Sequence, residues 1–177
     1  RGGSLLSAGG AKDQQRAGTS EFRVTLLMQE TSPPVMHGGS GLLDFGAAGT
    51  SYYYSRPRMD IQGEVEVAGA IRDVTCLAWF DHQWGDFDVN KLGWDWFALQ
   101  LEDGSDIMIY LLFDPSGAPV LRTASFTQKG STRILGATEF EVEAAERWVS
   151  DRTGIEYPMG WRVSIPSREM ELILKPT

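Results

Sequence analysis

Residues 78–110 read AWFDHQWGDFDVNKLGWDWFALQLEDGSDIMIY, and the rest of the chain is organised around them. The stretch holds four of the six tryptophans and one of the two histidines, with Asp81, Asp86, Asp88 and Asp95 interspersed. Its second half decides the fold. Residues 94–102 and 106–113 flank Asp103-Gly104, a dipeptide that suits the two positive-φ positions of a type I′ turn, so they read as an antiparallel hairpin. That turn predicts a register in which Glu102 opposes Ser105, Leu99 opposes Met108, Phe97 opposes Tyr110 and Asp95 opposes Leu112. Asp95, Phe97, Tyr110 and Leu112 then share one face. A carboxylate and a phenol among apolar side chains is an acid–base setting, because desolvation raises a carboxyl pKa. The structural alternative for Asp95 is a place at the strand mouth, capping backbone amides. A three-residue loop would exchange the faces.

The first half of the stretch belongs to a strand over residues 74–84. Period 2 puts Cys76, Ala78, Phe80, His82 and Trp84 on one face, and Leu77, Trp79, Asp81 and Gln83 on the other. Adjacent Asp81 and His82 therefore diverge and form no dyad; Asp81 needs another partner. His82 facing a cavity would be a general acid or base near neutral pH, and facing a filled core it would be a hydrogen-bonded structural residue. Residues 85–93 form a polar loop. Asp86 and Asp88 there lack the rest of a calcium-loop pattern.

Outward from this centre the strand signals continue. Residues 21–30 alternate, with Phe22, Val24, Leu26 and Met28 on one face. Residues 31–49 are a Pro- and Gly-rich connection carrying His37, read as a hydrogen-bonding or surface histidine. Residues 51–58 (SYYYSRPR) are extended and end at Pro57. Residues 59–69 alternate again, and a turn over 68–73 leads into the 74–84 strand. Downstream, residues 120–128 and 131–135 pair around Lys129-Gly130, residues 139–144 alternate, and 161–165 and 169–174 close the chain. Ten or more short strands and no helix-period stretch mean an all-β antiparallel barrel or strongly curved sandwich with little helix. Residues 1–20 read as a flexible N-terminal arm, and residues 21–177 as the β-domain.

Bulk properties narrow the function classes. The chain has 177 residues, 42% of them hydrophobic, and a formal charge of −8. No stretch concentrates Lys and Arg, so no nucleic-acid footprint is present. No apolar run is long enough for a membrane span, and residues 1–20 hold no signal-peptide core. Cys76 is the single cysteine, and with two distant histidines a structural zinc site is not indicated. CxxC, HExxH, phosphate-loop and GxSxG patterns are absent, and no metal or cofactor is implied. An aromatic-rich β-barrel suits a hydrophobic small molecule, although Trp and Tyr are also ordinary core residues.

The residues SYYYSRPR at 51–58, AWFDHQWG at 78–85, GWDWFALQLEDG at 93–104 and IMIY at 107–110 resemble the lipocalin-like family of AttH-type proteins and carotenoid 1,2-hydratases. Weaker similarity covers residues 32–41 and 152–166. The resemblance implies two lipocalin-like barrels in tandem over about twice this length, with the junction near residues 31–51. It implies a single closed or nearly closed barrel here, a second copy being one way to complete the sheet as a homodimer. It also implies an extracytoplasmic home, for which these residues carry no signal. In the hydratase branch, water adds to an isoprenoid double bond without a cofactor. The resemblance carries over His82, Trp84 and Tyr110 as site residues. The branch's acid falls at Leu112, where this chain has no carboxylate, and Asp95 is the stand-in on the predicted register. His82, Asp95 and Tyr110 are therefore the candidate catalytic residues. Phe80, Trp84, Phe97, Met108 and Leu112 are the candidate ligand contacts. Three readings stay open: a hydratase- or cyclase-like enzyme on a lipophilic substrate, a non-catalytic binder of the same class, and an interaction module whose tryptophans fill the core.

Overall fold

Two long strands, β6 (Gly49–Val67) and β7 (Ala70–Phe87), carry the first sheet of the computed structural model, which describes residues 4–7, 12–19 and 21–176. They are joined by Ala68-Gly69, both at positive φ (50° and 81°), so Val67 pairs with Ala70. This is the two-residue turn whose twist matches the strands it connects. Pro57 does not end β6 as the sequence predicts. The ladder shifts register between Arg56 and Met59, and the bulge absorbs a proline that has no N–H to give. The bulge also divides the partners of β6. Its second part pairs with β3 (Phe22–Glu30), while its first part pairs with β4 (Val35–Met36) and β5 (Leu42–Asp44). The Pro/Gly-rich connection thus contributes two short strands.

Ahead of β3, among the described residues, β1 (Ser4–Ser7) and β2 (Lys12–Gly18) pair antiparallel, and β2 pairs with β3. The β2 sequence KDQQRAG has no apolar alternation. Its place is held by backbone hydrogen bonds and by Asp13, which meets the Arg56 guanidinium.

The hairpin of β8 (Gly93–Gln100) and β9 (Asp106–Phe113) forms, but in another register. Trp96 pairs with Tyr110, Ala98 with Met108, Asp95 with Leu111 and Trp94 with Leu112. The loop has three residues, Glu102 to Gly104. The Gly104 N–H bonds the Leu101 carbonyl, the Leu101 N–H bonds the Ser105 carbonyl, and Gly104 alone is left-handed (φ 81°). Asp103 is drawn out of the I′ geometry by its own side chain, which accepts from the Ser105 N–H at 2.8 Å and the Ser105 hydroxyl at 2.6 Å. The one-residue shift moves every β8 side chain to the face opposite the predicted one.

β8 and β9 continue into β10 (Pro119–Gln128) and β11 (Ser131–Leu135) as a four-stranded sheet. A third sheet holds β12 (Glu141–Val149), β13 (Glu156–Ile165) and β14 (Met170–Leu174). The all-β, lipocalin-like reading holds in its curved-sandwich form. The single closed barrel does not form among the described residues, because the sheets meet face to face and no ladder joins their edges. β9 is buried on both faces. Its odd residues Ile107, Ile109 and Leu111 pack with Phe97, Phe126 and Val163. Its even residues Met108, Tyr110 and Leu112 pack with Leu43, Phe45 and Tyr53 below β6. Arg58 fastens the two sheets: its guanidinium pairs with the buried Asp106 at 2.9 Å and donates to the Leu101 carbonyl.

Candidate functional site

Between the first sheet and the β8–β9 hairpin lies a cleft of about 450 Å³. Its apolar walls are Phe87, Val89, Leu92, Trp94, Trp96 and Leu112. Four polar side chains line it as well: Tyr53, Asp81, Gln83 and Tyr110. Alternation explains the composition. Tyr53 pairs with Gln83 and Ser55 with Asp81 across β6 and β7, so their side chains project together toward the hairpin. The even residues of β8 and β9 project back.

Asp81 is the hub. Its Oδ1 accepts from the Tyr53 hydroxyl at 2.9 Å, the Trp79 indole N–H at 2.9 Å and the Ser55 hydroxyl through a very short contact. The Trp96 indole N–H donates to the Tyr53 oxygen at 2.8 Å. Behind Ser55 stands His37, with its Nε2 2.6 Å from the Ser55 Oγ. Since Ser55 gives its single proton to Asp81, His37 donates from Nε2 and is the neutral Nε2–H tautomer. Burial agrees, since His37 is 0% exposed and desolvation pulls its pKa down to about 4. Its Nδ1 is buried without a partner among the described residues. The loop holding it is pinned to β6 by the His37 N–H on the Tyr53 carbonyl and the Tyr53 N–H on the Gly41 carbonyl.

The two phenols are shifted upward. Burial, then the charge of Asp81, raises the Tyr53 hydroxyl far above its ordinary value. Burial raises Tyr110, with Gln83 acting weakly the other way. Both are neutral hydrogen-bond donors near neutral pH.

The predicted site residues separate into three places. Tyr110 and Leu112 line the cleft, and Met108 lies further down the same face in the core that borders it. Phe80, His82 and Trp84 lie on the opposite face of β7. There Phe80 packs near Met28 and Met59, and His82 stacks against Trp84 with ring centroids 4.5 Å apart. Asp95 and Phe97 lie on the far face of β8, with Phe97 in the core against Trp161. Asp95 is half-buried there, and desolvation raises its carboxyl pKa. Asp95 neither opposes Leu112 nor shares a face with Tyr110, because the three-residue loop shifts the hairpin by one. Tyr53, Ser55, Asp81, Gln83 and His37 were not selected from the sequence. One signal was available for Asp81, which shares its strand face with Trp79 and Gln83 and diverges from the adjacent His82. Among the described residues no three His, Cys, Asp or Glu side chains gather as a metal site, and no helix is long and apolar enough to cross a membrane.

A family model described as AttH-like matches residues 4–177. The chain belongs to the AttH-like family. Its sequence is 24% identical over 159 residues to kievitone hydratase of Fusarium solani subsp. phaseoli, covering 86% of this chain and 45% of that protein. It is 25% identical over 161 residues to dehydratase asqC of Emericella nidulans, covering 85% and 45%. The crystal structure of a protein described as an AttH from Nitrosomonas europaea superposes with a TM-score of 0.79 at 26% identity, over 91% of this chain and 51% of that one. Kievitone hydratase from Nectria haematococca superposes with a TM-score of 0.67 at 21% identity, over 88% and 49%, and shares the fold. This AttH-like chain therefore spans about half the length of the relatives it matches.

Proposed function

We propose that this AttH-like chain carries the substrate cleft of a cofactor-independent hydratase or dehydratase acting on a lipophilic molecule. The observation that supports it is Asp81, a carboxylate with one oxygen fixed by three donors, in a cleft whose other walls are aromatic and aliphatic save for the Gln83 amide. Such walls take up apolar substrate surface, and a positioned carboxylate moves the proton. In the hydration direction Asp81, having taken up the Tyr110 phenol proton, gives it to one alkene carbon, while the Tyr110 oxygen takes a proton from the water whose oxygen bonds to the other carbon. In the dehydration direction it removes a proton from carbon, while the neutral Tyr110 phenol donates to the departing hydroxyl. Aromatic faces in the cleft favour positive charge developing on carbon. The hydratase and dehydratase names of two relatives point to the same pair of directions.

A non-catalytic carrier of the same class of ligand is the second reading. It is favoured by Leu112, which stands where the resemblance to hydratases would put their acid.

The test is uptake of one ¹⁸O-labelled water by linear isoprenoids and polyenes, or its loss from their hydroxylated counterparts, read by mass spectrometry. Asp81→Asn lowers the rate by about 10²–10⁴-fold, the usual worth of a positioned acid or base, and Asp95→Asn leaves it within about 2-fold. Equal loss in both variants, or none in Asp81→Asn, refutes the role of Asp81. Saturable binding with no labelled-water exchange selects the carrier.

A further inference from the structure

The hydrogen bonds around Asp81 have a fixed direction, and that direction restricts what the cleft can hold. Trp79 and Trp96 can only donate. The Trp96 N–H goes to the Tyr53 oxygen, so the Tyr53 proton goes to Asp81. The His37 N–H goes to Ser55, so the Ser55 proton also goes to Asp81. Every one of these donors ends on the same oxygen, Oδ1. Oδ2 accepts from none of the described residues and remains for the cleft.

Among the described residues neither Lys nor Arg lines the cleft. The two β6 arginines are occupied elsewhere: Arg58 by Asp106, and Arg56 by Asp13 and Glu30. Among the described lining residues the one charged group is thus a hydrogen-bond acceptor, set among aromatic and aliphatic walls with Gln83 beside it. Asp81 itself is exposed, so the repulsion acts at contact range: a second anion within hydrogen-bond reach of Oδ2 is repelled, whereas a hydroxyl finds its acceptor.

We infer that the cleft selects neutral, hydroxyl-bearing lipophiles and rejects their carboxylate analogues, with Asp81 as the specificity-determining residue. The inference rests on the proposed function only in taking the cleft to be the ligand site. It adds that an alcohol, as substrate or product, is anchored through its O–H to Asp81 Oδ2, and that fatty acids and isoprenoid acids are excluded.

The experiment compares farnesol with farnesoate, titrated into the full chain at about pH 8, where carboxylates are ionised, with tryptophan fluorescence as the readout. Farnesol binds at least about 10-fold more tightly than farnesoate. In Asp81→Asn the charge is gone and the difference falls to within about 3-fold, chiefly because farnesoate gains. Farnesoate within about 3-fold of farnesol on the natural chain overturns the inference while leaving the ligand cleft intact. A preference that persists undiminished in a folded Asp81→Asn overturns the assignment to Asp81. Binding of neither probe removes the ligand cleft, and with it this inference. If Asp81→Asn does not fold, the comparison on the natural chain decides the selectivity alone.

Discussion

β9 separates two layers that differ in kind. On its odd side Ile107, Ile109 and Leu111 meet Phe97, Phe126 and Val163, and the cluster of buried residues there is wholly hydrophobic. On its even side Met108, Tyr110 and Leu112 meet Tyr53, behind which lie Asp81, Ser55 and His37. One strand thus seals an apolar core and borders a cleft backed by a polar chain that runs from the buried His37 and Ser55 to the exposed Asp81. The dry layer is held by area removed from water, which is non-directional. The polar layer is held by a directed set of hydrogen bonds, and a lost partner there strands the buried His37, Ser55 or Tyr53. The first arrangement serves stability. The second retains an unpartnered His37 Nδ1 and an open carboxylate oxygen, features that a layer built only for stability would avoid.

The largest predicted effect breaks the dry side. Phe126→Ala, at a side chain 3% exposed, destabilises the fold by about 3–5 kcal/mol through lost burial and the remaining cavity. Denaturant melts read it, and ligand affinity of the folded fraction is unchanged. Acid comes next and acts on the polar side. His37 has its pKa lowered from 6.5 to about 4, so the unfolded chain binds this proton first as pH falls. Stability contributed by the neutral ring is full above about pH 6.5 and declines toward pH 4, by ~3 kcal/mol in total. A pH series of melts shows that slope, and His37→Asn removes it. Ser55→Ala follows, at about 1–3 kcal/mol, because it strands the buried His37 N–H and deprives Asp81 of one donor. A neutral Ser55→Ala would mean that the polar chain is incidental. The smallest effect tests how the two layers receive their residues. Gly104→Ala places a side chain at φ 81°, with no atom within 4 Å of the new Cβ, so only backbone strain of about 1–2 kcal/mol is added. Cross-strand NMR contacts between Trp96 and Tyr110 persist if the three-residue loop is retained, and contacts between Phe97 and Tyr110 would mean that the loop has reverted to two residues.

Much of the architecture was legible along the chain. Alternation in residues 21–30 and 59–67 marks β3 and the second part of β6, and the pairing around Lys129-Gly130 forms as read. The face partition of β7 also holds: Asp81 and Gln83 project one way, and His82 and Trp84 the other. The site was only partly legible. Of the residues singled out along the chain, Tyr110 and Leu112 line the cleft, since they share a face of a strongly patterned strand. Asp95 was misplaced because Asp103 bonds Ser105 and converts a two-residue turn into a three-residue one. β2 was missed because backbone pairing, with one ion pair, places a strand whose side chains show no pattern.

The sequence by itself determined that this chain is antiparallel and all-β, and which side chains travel together on each strand, because the pleat imposes period 2 whatever the strand packs against. Only the tertiary structure decided which of the two faces becomes core and which becomes cleft. That choice rests on a one-residue difference in a loop and on the apposition of β6, β7 and β9, whose residues lie up to 57 positions apart between Tyr53 and Tyr110. It also brought His37, Ser55 and Asp81 into line from a loop and two strands. Local periodicity carries no information about contacts at that separation, so Asp81 acquired its partners, and its chemistry, from the fold.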